Sequence, residues 1–260
     1  MLSITSAQLT ALLAAFVFPM ARILALVSSA PVFANRGIPR RIRLGLGLAL
    51  TLVIAPLAGP IPDVSPSSFE GLQVLIQQIV IGTAMGLTMR MVFAAVDMAG
   101  ELIGLQMGLG FATFFDPLRG NNAPVIAQTM SLLTVLFFLA LNGHLLMISA
   151  LAQSFAVLPI GAELFGAHAA TSLVSWGAQM FAAGLTLALP VVAALLITNL
   201  ALGVLTRTAP QLNIFAVGFP ITLLLGFFVL ALVLPYLSAP MEKFLVAGVS
   251  AALEILARAP

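Results

Sequence analysis

Residues 208–241 read TAPQLNIFAVGFPITLLLGFFVLALVLPYLSAPM and contain no aspartate, glutamate, lysine, arginine or histidine. The stretch exceeds the roughly 20 apolar residues that a helix needs to cross the hydrocarbon of a bilayer. A helix formed here has no charged face that water would solvate. We therefore expect residues 208–241 to be buried in lipid or in other apolar protein.

The whole chain continues this pattern. Of its 260 residues, 62% are hydrophobic and 7% are charged, and the mean hydropathy is +1.19. Soluble domains carry about 25% charged residues, so the few charges present here could not cover a surface that faces water. We predict an all-α, polytopic integral membrane protein, a single membrane domain over residues 1–260, built from helical hairpins with kinked or broken helices.

Charged residues divide the chain into long neutral blocks. These give six hydropathy segments, near residues 7–35, 44–62, 71–96, 124–158, 172–206 and 211–237. Basic loops stay on the cytoplasmic side of a membrane, so we place the loop from Arg36 to Arg43 there. Arg119 and Arg207 then fall on the same side.

Two further features of the helices follow from residue types. Residues 241–257 predict an amphipathic C-terminal helix, because Glu242, Ser250 and Glu254 are spaced by multiples of four and share one face. Kinks or hairpins are expected inside the longer blocks, where proline or glycine interrupts the helix. The predicted sites are Asn142-Gly143, Pro190 and Pro220.

The sequence lacks the residue patterns that several kinds of chemistry require. The net charge of +2 is small and scattered, which argues against nucleic acid as a partner, and there is no cysteine. Neither His144 nor His168 has a second histidine at metal-ligand spacing. No Walker-type phosphate loop and no nucleophile-base arrangement occurs. We therefore predict no enzyme activity, no catalytic residue, no metal site and no cofactor.

Three charges lie in otherwise apolar surroundings, namely Arg90, Asp97 and Glu101. Asp97 and Glu101 are four residues apart and share a helical face, with Arg90 roughly on the same side. Ionisable groups inside a membrane are costly and suggest a function. One interpretation is a buried charge cluster that binds a proton or cation between helices. The other is an ion pair or polar contact at a helix end or subunit interface.

Glycines spaced by four precede an unusual loop. Gly100 and Gly104 lie on one helix face, where they would allow another helix to approach closely. Residues 108–117 follow as GLGFATFFDP, too short and too rich in glycine for a span. An irregular apolar segment at membrane depth must be buried or line a cavity. It is either a movable apolar plug or a packed re-entrant turn, and the residues that define it are Gly108, Gly110, Phe111, Phe114, Phe115, Asp116 and Pro117.

The order and spacing of short motifs resemble one known family. The motifs run along nearly the whole chain, as Arg22, APVF at 30–33, IPRRIR at 38–43, GELIG at 100–104, QMG at 106–108, Asp116-Pro117, NGH at 142–144, Ser154-Phe155, Pro159, Asn199, Gly203, Arg207, PQLNIF at 210–215 and GFP at 218–220. Together they are similar to the FliR family, an export-gate component of type III secretion apparatuses. The resemblance leaves open whether the apparatus builds a flagellum or an injectisome.

The resemblance implies a function that residue types alone do not supply. Members of the family assemble with FliP and FliQ homologues into a closed helical pore, with their hairpins partly above the bilayer. The pore sits in the bacterial inner membrane, in the flagellar basal body, among other export-gate proteins. Unfolded flagellar subunits pass through it. The family's closing loop carries over to residues 108–117, and a partner-contact loop is expected at Arg207, Pro210, Gln211 and Asn213.

Two other classes of protein compete with this interpretation. A stand-alone, proton-coupled secondary transporter of a small solute would use Arg90, Asp97 and Glu101 as its coupling site. Such transporters often contain internal repeats, and none is detectable in this sequence. An intramembrane enzyme would need a nucleophile-base pair or a set of metal ligands, which the sequence does not show.

Overall fold

The computed structural model describes residues 5–35, 37–110, 125–161, 166–211 and 214–258, and these residues form helices and no strand. Short 3-10 turns at Ala55–Leu57 and Leu234–Leu237 follow the second and seventh helices. The helices are α1 (Ser6–Ser29), α2 (Arg40–Ile54), α3 (Phe69–Gln106), α4 (Val125–Ala140), α5 (Gly143–Val157), α6 (Ala167–Thr208), α7 (Ile214–Val233) and α8 (Ser238–Ala257). The predicted all-α class is confirmed.

Several of these helices can cross a membrane by length and composition. Within the described residues there are four such stretches, and α4 with α5 passes as a fifth, broken span. The four are Gln8–Ser29, Phe69–Gln106, His168–Thr208 and Ala216–Ala257. The prediction of a polytopic membrane protein is confirmed.

The structure departs from the predicted segments in three places. Segment 44–62 gives only the 15 residues of α2, or about 22 Å, which is less than the roughly 30 Å hydrocarbon. Pro56 turns the chain into a 3-10 helix there. Segment 71–96 continues as helix to Gln106, since no proline stops it. Segment 211–237 runs into the C-terminal helix through a single 3-10 turn.

The three sites where a kink or hairpin was predicted differ in the structure. α4 ends at Ala140 and α5 begins at Gly143, with Asn142 between them at a left-handed φ of 54°. That break is confirmed. Pro190 and Pro220 lie inside α6 and α7, which continue past them, so no hairpin forms there, and a kink at either proline stays a prediction. A helix in apolar surroundings keeps its backbone groups bonded to one another, because lipid offers no other partners.

The chain divides into two compact units. Unit 1 comprises Met1–Met91, Asn142–Ala178 and Leu245–Pro260, and unit 2 comprises Val92–Leu141 and Gln179–Phe244. Each unit therefore takes segments that are far apart in sequence.

Glycines set the packing in unit 1. A Cβ at Gly82 of α3 would meet the backbone oxygen of Arg22 in α1, and one at Gly86 would meet Ser29. Gly47 of α2 faces the Leu24 side chain of α1 in the same way. Small residues allow helices to approach closely where hydrophobic association is weak. α1 is therefore packed closely against both α2 and α3.

Unit 2 has an apolar core contributed by α3, α4, α6 and the C-terminal helices. Phe93 and Phe138 meet edge to face, with ring centroids 5.8 Å apart. Gly184 of α6 lies against the Ala95 backbone of α3. The buried members of the core are Val96, Ala99, Ile103, Met107, Ile126, Met130, Leu187, Ala188, Val191, Leu195, Leu237 and Met241.

Replacing Gly82 with leucine should destabilise unit 1. The new side chain would run into backbone, which cannot move aside as a flexible side chain can. Overpacking a core costs about 1–3 kcal/mol, and we expect the upper part of this range. The measurement is thermal unfolding of the purified protein in detergent. Gly45→Leu is the matched control, because a Cβ at Gly45 meets nothing within 4 Å; equal effects of the two substitutions would contradict the packing role.

Candidate functional site

The predicted gate loop is described at both of its ends. Gly108 and Gly110 belong to the described residues, as does the chain from Val125 onward. The other predicted loop residues, Phe111, Phe114, Phe115, Asp116 and Pro117, lie outside them. The structure therefore shows how the loop is anchored, and the seal itself stays a prediction.

A glycine stop ends α3 just before the loop. Gly108 has a left-handed φ of 83°, which glycine adopts without strain. The Leu109 amide donates to the Gly104 carbonyl at 3.0 Å, and the Gly108 amide donates to the Leu105 carbonyl at 3.0 Å. This pair of bonds is the Schellman motif, which satisfies carbonyls at a helix end. The direction in which the chain leaves α3 is thereby fixed.

Met107 anchors the first end of the loop. Its side chain is fully buried, and a Cβ at Gly226 of α7 would run into it. The Thr222 hydroxyl of α7 donates to the Met107 carbonyl at 3.3 Å. Both the side chain and the backbone of Met107 are therefore held by α7.

The chain that follows the predicted loop packs against α3. A Cβ at Gly100 of α3 would run into the backbone of Ala127 in α4, so the two helices are in close contact two residues after α4 begins. Residues 111–124 thus connect two helices that pack against each other. Gly104 is buried on α3, and its carbonyl accepts the Leu109 amide in the Schellman motif.

The three charges singled out by sequence are not all buried in this chain. All lie on α3, but Arg90 and Glu101 are exposed and only Asp97 is partly buried. Ser131 of α4 lies close to the Asp97 side chain. Asp97 Oδ1 is buried without a hydrogen-bond partner among the described residues. The chain therefore presents one polar site at Asp97 and leaves the roles of Arg90 and Glu101 untested.

The predicted partner-contact loop is accessible. Arg207 lies in the last turn of α6 and is exposed, as are Pro210 and Gln211 after it. Asn213 lies outside the described residues. This position leaves the segment available to a partner, and the contact stays a prediction.

Unit 1 contains a buried cation that residue patterns did not identify as a site. Arg22 of α1 is 0% exposed. Its Nε donates to Gln78 Oε1 of α3 at 2.8 Å. Nη1 donates to the Ser154 carbonyl at 2.9 Å and to its hydroxyl at 3.1 Å, and Nη2 donates to the Leu158 carbonyl at 2.8 Å. The guanidinium also lies 4.2 Å from the centre of the Phe155 ring.

These contacts join three helices through one side chain. Ser154 lies in the last turn of α5 and Leu158 is its C-cap, and the C-terminal end of a helix carries partial negative charge. The guanidinium thus meets an end of the helix that attracts cations, and the Phe155 ring adds a cation–π contact. The available signal was an arginine alone in an uncharged stretch from Met1 to Asn35, and ionisable groups in such stretches are usually functional or paired.

Histidine and acidic side chains do not gather into a ligand set within the described part of the chain, where no three of them could hold a metal ion. His168 is exposed, and His144 is partly buried with its Nδ1 lacking a hydrogen-bond partner there.

Comparison with known proteins decides the family. A family model described as bacterial export proteins, family 1, matches residues 13–247. The flagellar biosynthetic protein FliR of Pectobacterium carotovorum subsp. carotovorum is 51% identical over 235 residues, which cover 90% of each chain. The chain belongs to the FliR family.

Other relatives with the same name match this chain at lower sequence identity. The flagellar biosynthetic protein FliR of Escherichia coli (strain K12) is 48% identical over 238 residues, covering 92% of this chain and 91% of that one. The protein of the same name from Bacillus subtilis (strain 168) is 31% identical over 223 residues, covering 83% and 84%. The family resemblance seen in the motifs is confirmed.

Replacing Arg22 with lysine should destabilise this FliR-family protein strongly, although the charge is kept. A lysine ammonium cannot reach Gln78, Ser154 and Leu158 at once, because it lacks the planar fork of the guanidinium. Each buried group left without its partner costs about 1–3 kcal/mol. Thermal unfolding in detergent measures the loss, with the exposed Arg40→Lys as control. An Arg22→Lys protein as stable as that control would contradict the role.

Proposed function

We propose that this FliR-family chain is a structural subunit of the protein-conducting export gate of the flagellar type III secretion apparatus. In this proposal it lies in the bacterial inner membrane at the flagellar basal body and has no enzymatic role. It assembles with FliP and FliQ homologues, alongside other export-gate proteins, into a closed pore for unfolded flagellar subunits. Membership of the FliR family supports a role in flagellar export.

The length of the apolar face of α6 is the observation that carries the subunit proposal. Exposed apolar side chains follow one another along it at intervals of four or seven residues, from Val174 (73% exposed) to Val204 (59%), as Val174, Phe181, Leu185, Leu189, Leu196, Leu200 and Val204. Thirty residues of helix rise about 45 Å. Even at a tilt of roughly 40°, a 30 Å hydrocarbon accommodates only about 39 Å of helix. Part of this face therefore lies beyond the hydrocarbon, where another protein is needed to cover it.

The anchoring of residues 111–124 supports the gate within that assembly. The residues on both sides of 111–124 are held in place, Met107 by α7 and Ala127 by close contact with Gly100 of α3. Its three phenylalanines, Phe111, Phe114 and Phe115, are of the kind that exclude water and ions from a narrow constriction. An arriving polypeptide would displace such a seal by breaking apolar contacts alone.

Native mass spectrometry of the tagged chain tests the assembly. The chain is co-expressed with FliP and FliQ homologues of the same bacterium and purified in mild detergent. We expect a discrete complex that holds one copy of this chain and several copies of each partner. A monodisperse monomer or homodimer that ignores both partners would overturn the proposal and favour the small-solute transporter, for which screening of solutes would follow.

Arg207→Ala tests the contact loop in the same preparation. If Arg207 contacts a partner, the substitution should lower the yield of the complex or flagellar export several-fold while the chain itself still folds, because Arg207 is exposed. Arg258→Ala is the matched control, since it removes an exposed arginine elsewhere. Unchanged assembly and export would refute the contact.

Replacing Phe111, Phe114 and Phe115 together with glycine should make cells permeable to small ions. The substitution removes apolar volume from the proposed seal while leaving the anchors at Met107 and Gly100 intact. Ion leakage is measured in cells that express the complete complex, with Phe219→Gly as a control because Phe219 is an exposed residue of α7. Unchanged permeability and unchanged secretion would show that these rings do not close the pore.

A further inference from the structure

The outer side of α2 combines exposed arginines with an exposed apolar stripe. α2 packs on α1 with Gly47 buried against Leu24, and Thr51, also buried, bonds internally to the Gly47 carbonyl at 2.7 Å. The outer apolar side chains are largely exposed, as for Leu52 at 68%. We call Arg40, Arg41, Leu44, Leu48 and Leu52 the α2 surface.

The arginines of this region have different roles. Arg43 is tied to the preceding turn, where its Nε and Nη2 donate to the Ile38 carbonyl at 3.2 and 3.0 Å and Nη2 donates to the Asn35 carbonyl at 3.2 Å. Arg40 and Arg41 are exposed on the first turn of α2. Arg43 therefore shapes the turn, and its two neighbours carry the charge that faces outward.

The charged residues in this part of the chain are all positive. Residues 1–62 contain five arginines and no aspartate or glutamate, the first acidic residue being Asp63. Arginine recognises phosphate oxygens with paired hydrogen bonds. The complementary partner of the exposed pair is therefore an anionic group.

The spacing along α2 matches one leaflet of a bilayer. From Arg41, Leu44, Leu48 and Leu52 follow at intervals of three, four and four residues and form a single stripe. The eleven helical steps from Arg41 to Leu52 rise about 16 Å, and half of the hydrocarbon is about 15 Å thick. An acyl chain could lie along the leucines while its headgroup meets the arginines.

We propose that the α2 surface is a binding site for an anionic phospholipid. The headgroup phosphate contacts Arg40 and Arg41, and one acyl chain packs on Leu44, Leu48 and Leu52. The helix is too short to span the membrane by itself and so reaches one leaflet only. This site does not depend on the export-gate proposal, because it uses residues of this chain alone.

Lipid retention by the full-length chain tests the site. The protein is purified in mild detergent and titrated with phosphatidylglycerol or with phosphatidylcholine of the same acyl chains, and native mass spectrometry counts the retained lipids. A basic residue near an anionic lipid contributes about 1 kcal/mol, or about fivefold in binding, so two give roughly 30-fold. We expect phosphatidylglycerol to be preferred by this order, and Arg40→Gln with Arg41→Gln to remove the preference while phosphatidylcholine is retained as before.

The control removes the same charge elsewhere. Lys243→Gln with Arg258→Gln also deletes two exposed positive charges, and it should leave the preference intact. Circular dichroism and gel filtration verify that both double variants are folded. Leu48→Asn should weaken retention of both lipids, because it interrupts the stripe.

Several results would overturn the proposal. These are equal retention of the two lipids by the unaltered protein, a preference that survives the Arg40/Arg41 substitutions, and a preference that the control pair removes equally. If the Arg40/Arg41 variant keeps its lipids but loses co-purifying partner proteins, the arginines serve a protein contact instead.

Discussion

A guanidinium removed from water needs acceptors for its N–H groups, and the apolar chain around Arg22 supplies two backbone carbonyls and two side-chain oxygens. Ser154 and Leu158 offer carbonyls at the end of α5, and Gln78 offers a side-chain oxygen from α3. Because these acceptors lie on different helices, the charge can be satisfied only when α1, α3 and α5 are together. Burying the cation without these acceptors would be costly, so Arg22 favours the one arrangement of unit 1 that supplies them.

Glycines allow the helices around Arg22 to approach one another closely. Gln78 and Gly82 are four residues apart on α3, so the helix that accepts from the Arg22 side chain also lies against the Arg22 backbone. The same device recurs in unit 2, where Gly100 meets α4 and Gly226 meets Met107. In surroundings as apolar as the helices themselves, backbone proximity and a few polar contacts replace the hydrophobic driving force. The helices on both sides of the predicted gate loop are therefore held by the same means as the rest of the fold.

Helix length connects this architecture to assembly. α3 and α6 contain 38 and 42 residues, or about 57 and 63 Å, close to twice the roughly 30 Å of hydrocarbon. A protein that worked alone in a membrane would have to solvate the apolar ends of such helices. A subunit covers them with its neighbours. Helix length is therefore an argument for the proposed assembly over a stand-alone transporter.

The sequence by itself determined the membrane class, the all-helical fold, the break at Asn142 and, through its ordered motifs, the FliR family. These follow from composition, local backbone preference and short spacings. The tertiary structure alone decided the acceptors of Arg22, which lie up to 136 residues away, and the glycines that face another backbone. It also decided that α3 continues to Gln106 and that 44–62 yields only a short helix. These features depend on which distant segments meet, because a buried charge or a missing side chain acquires its role only from the group placed opposite it.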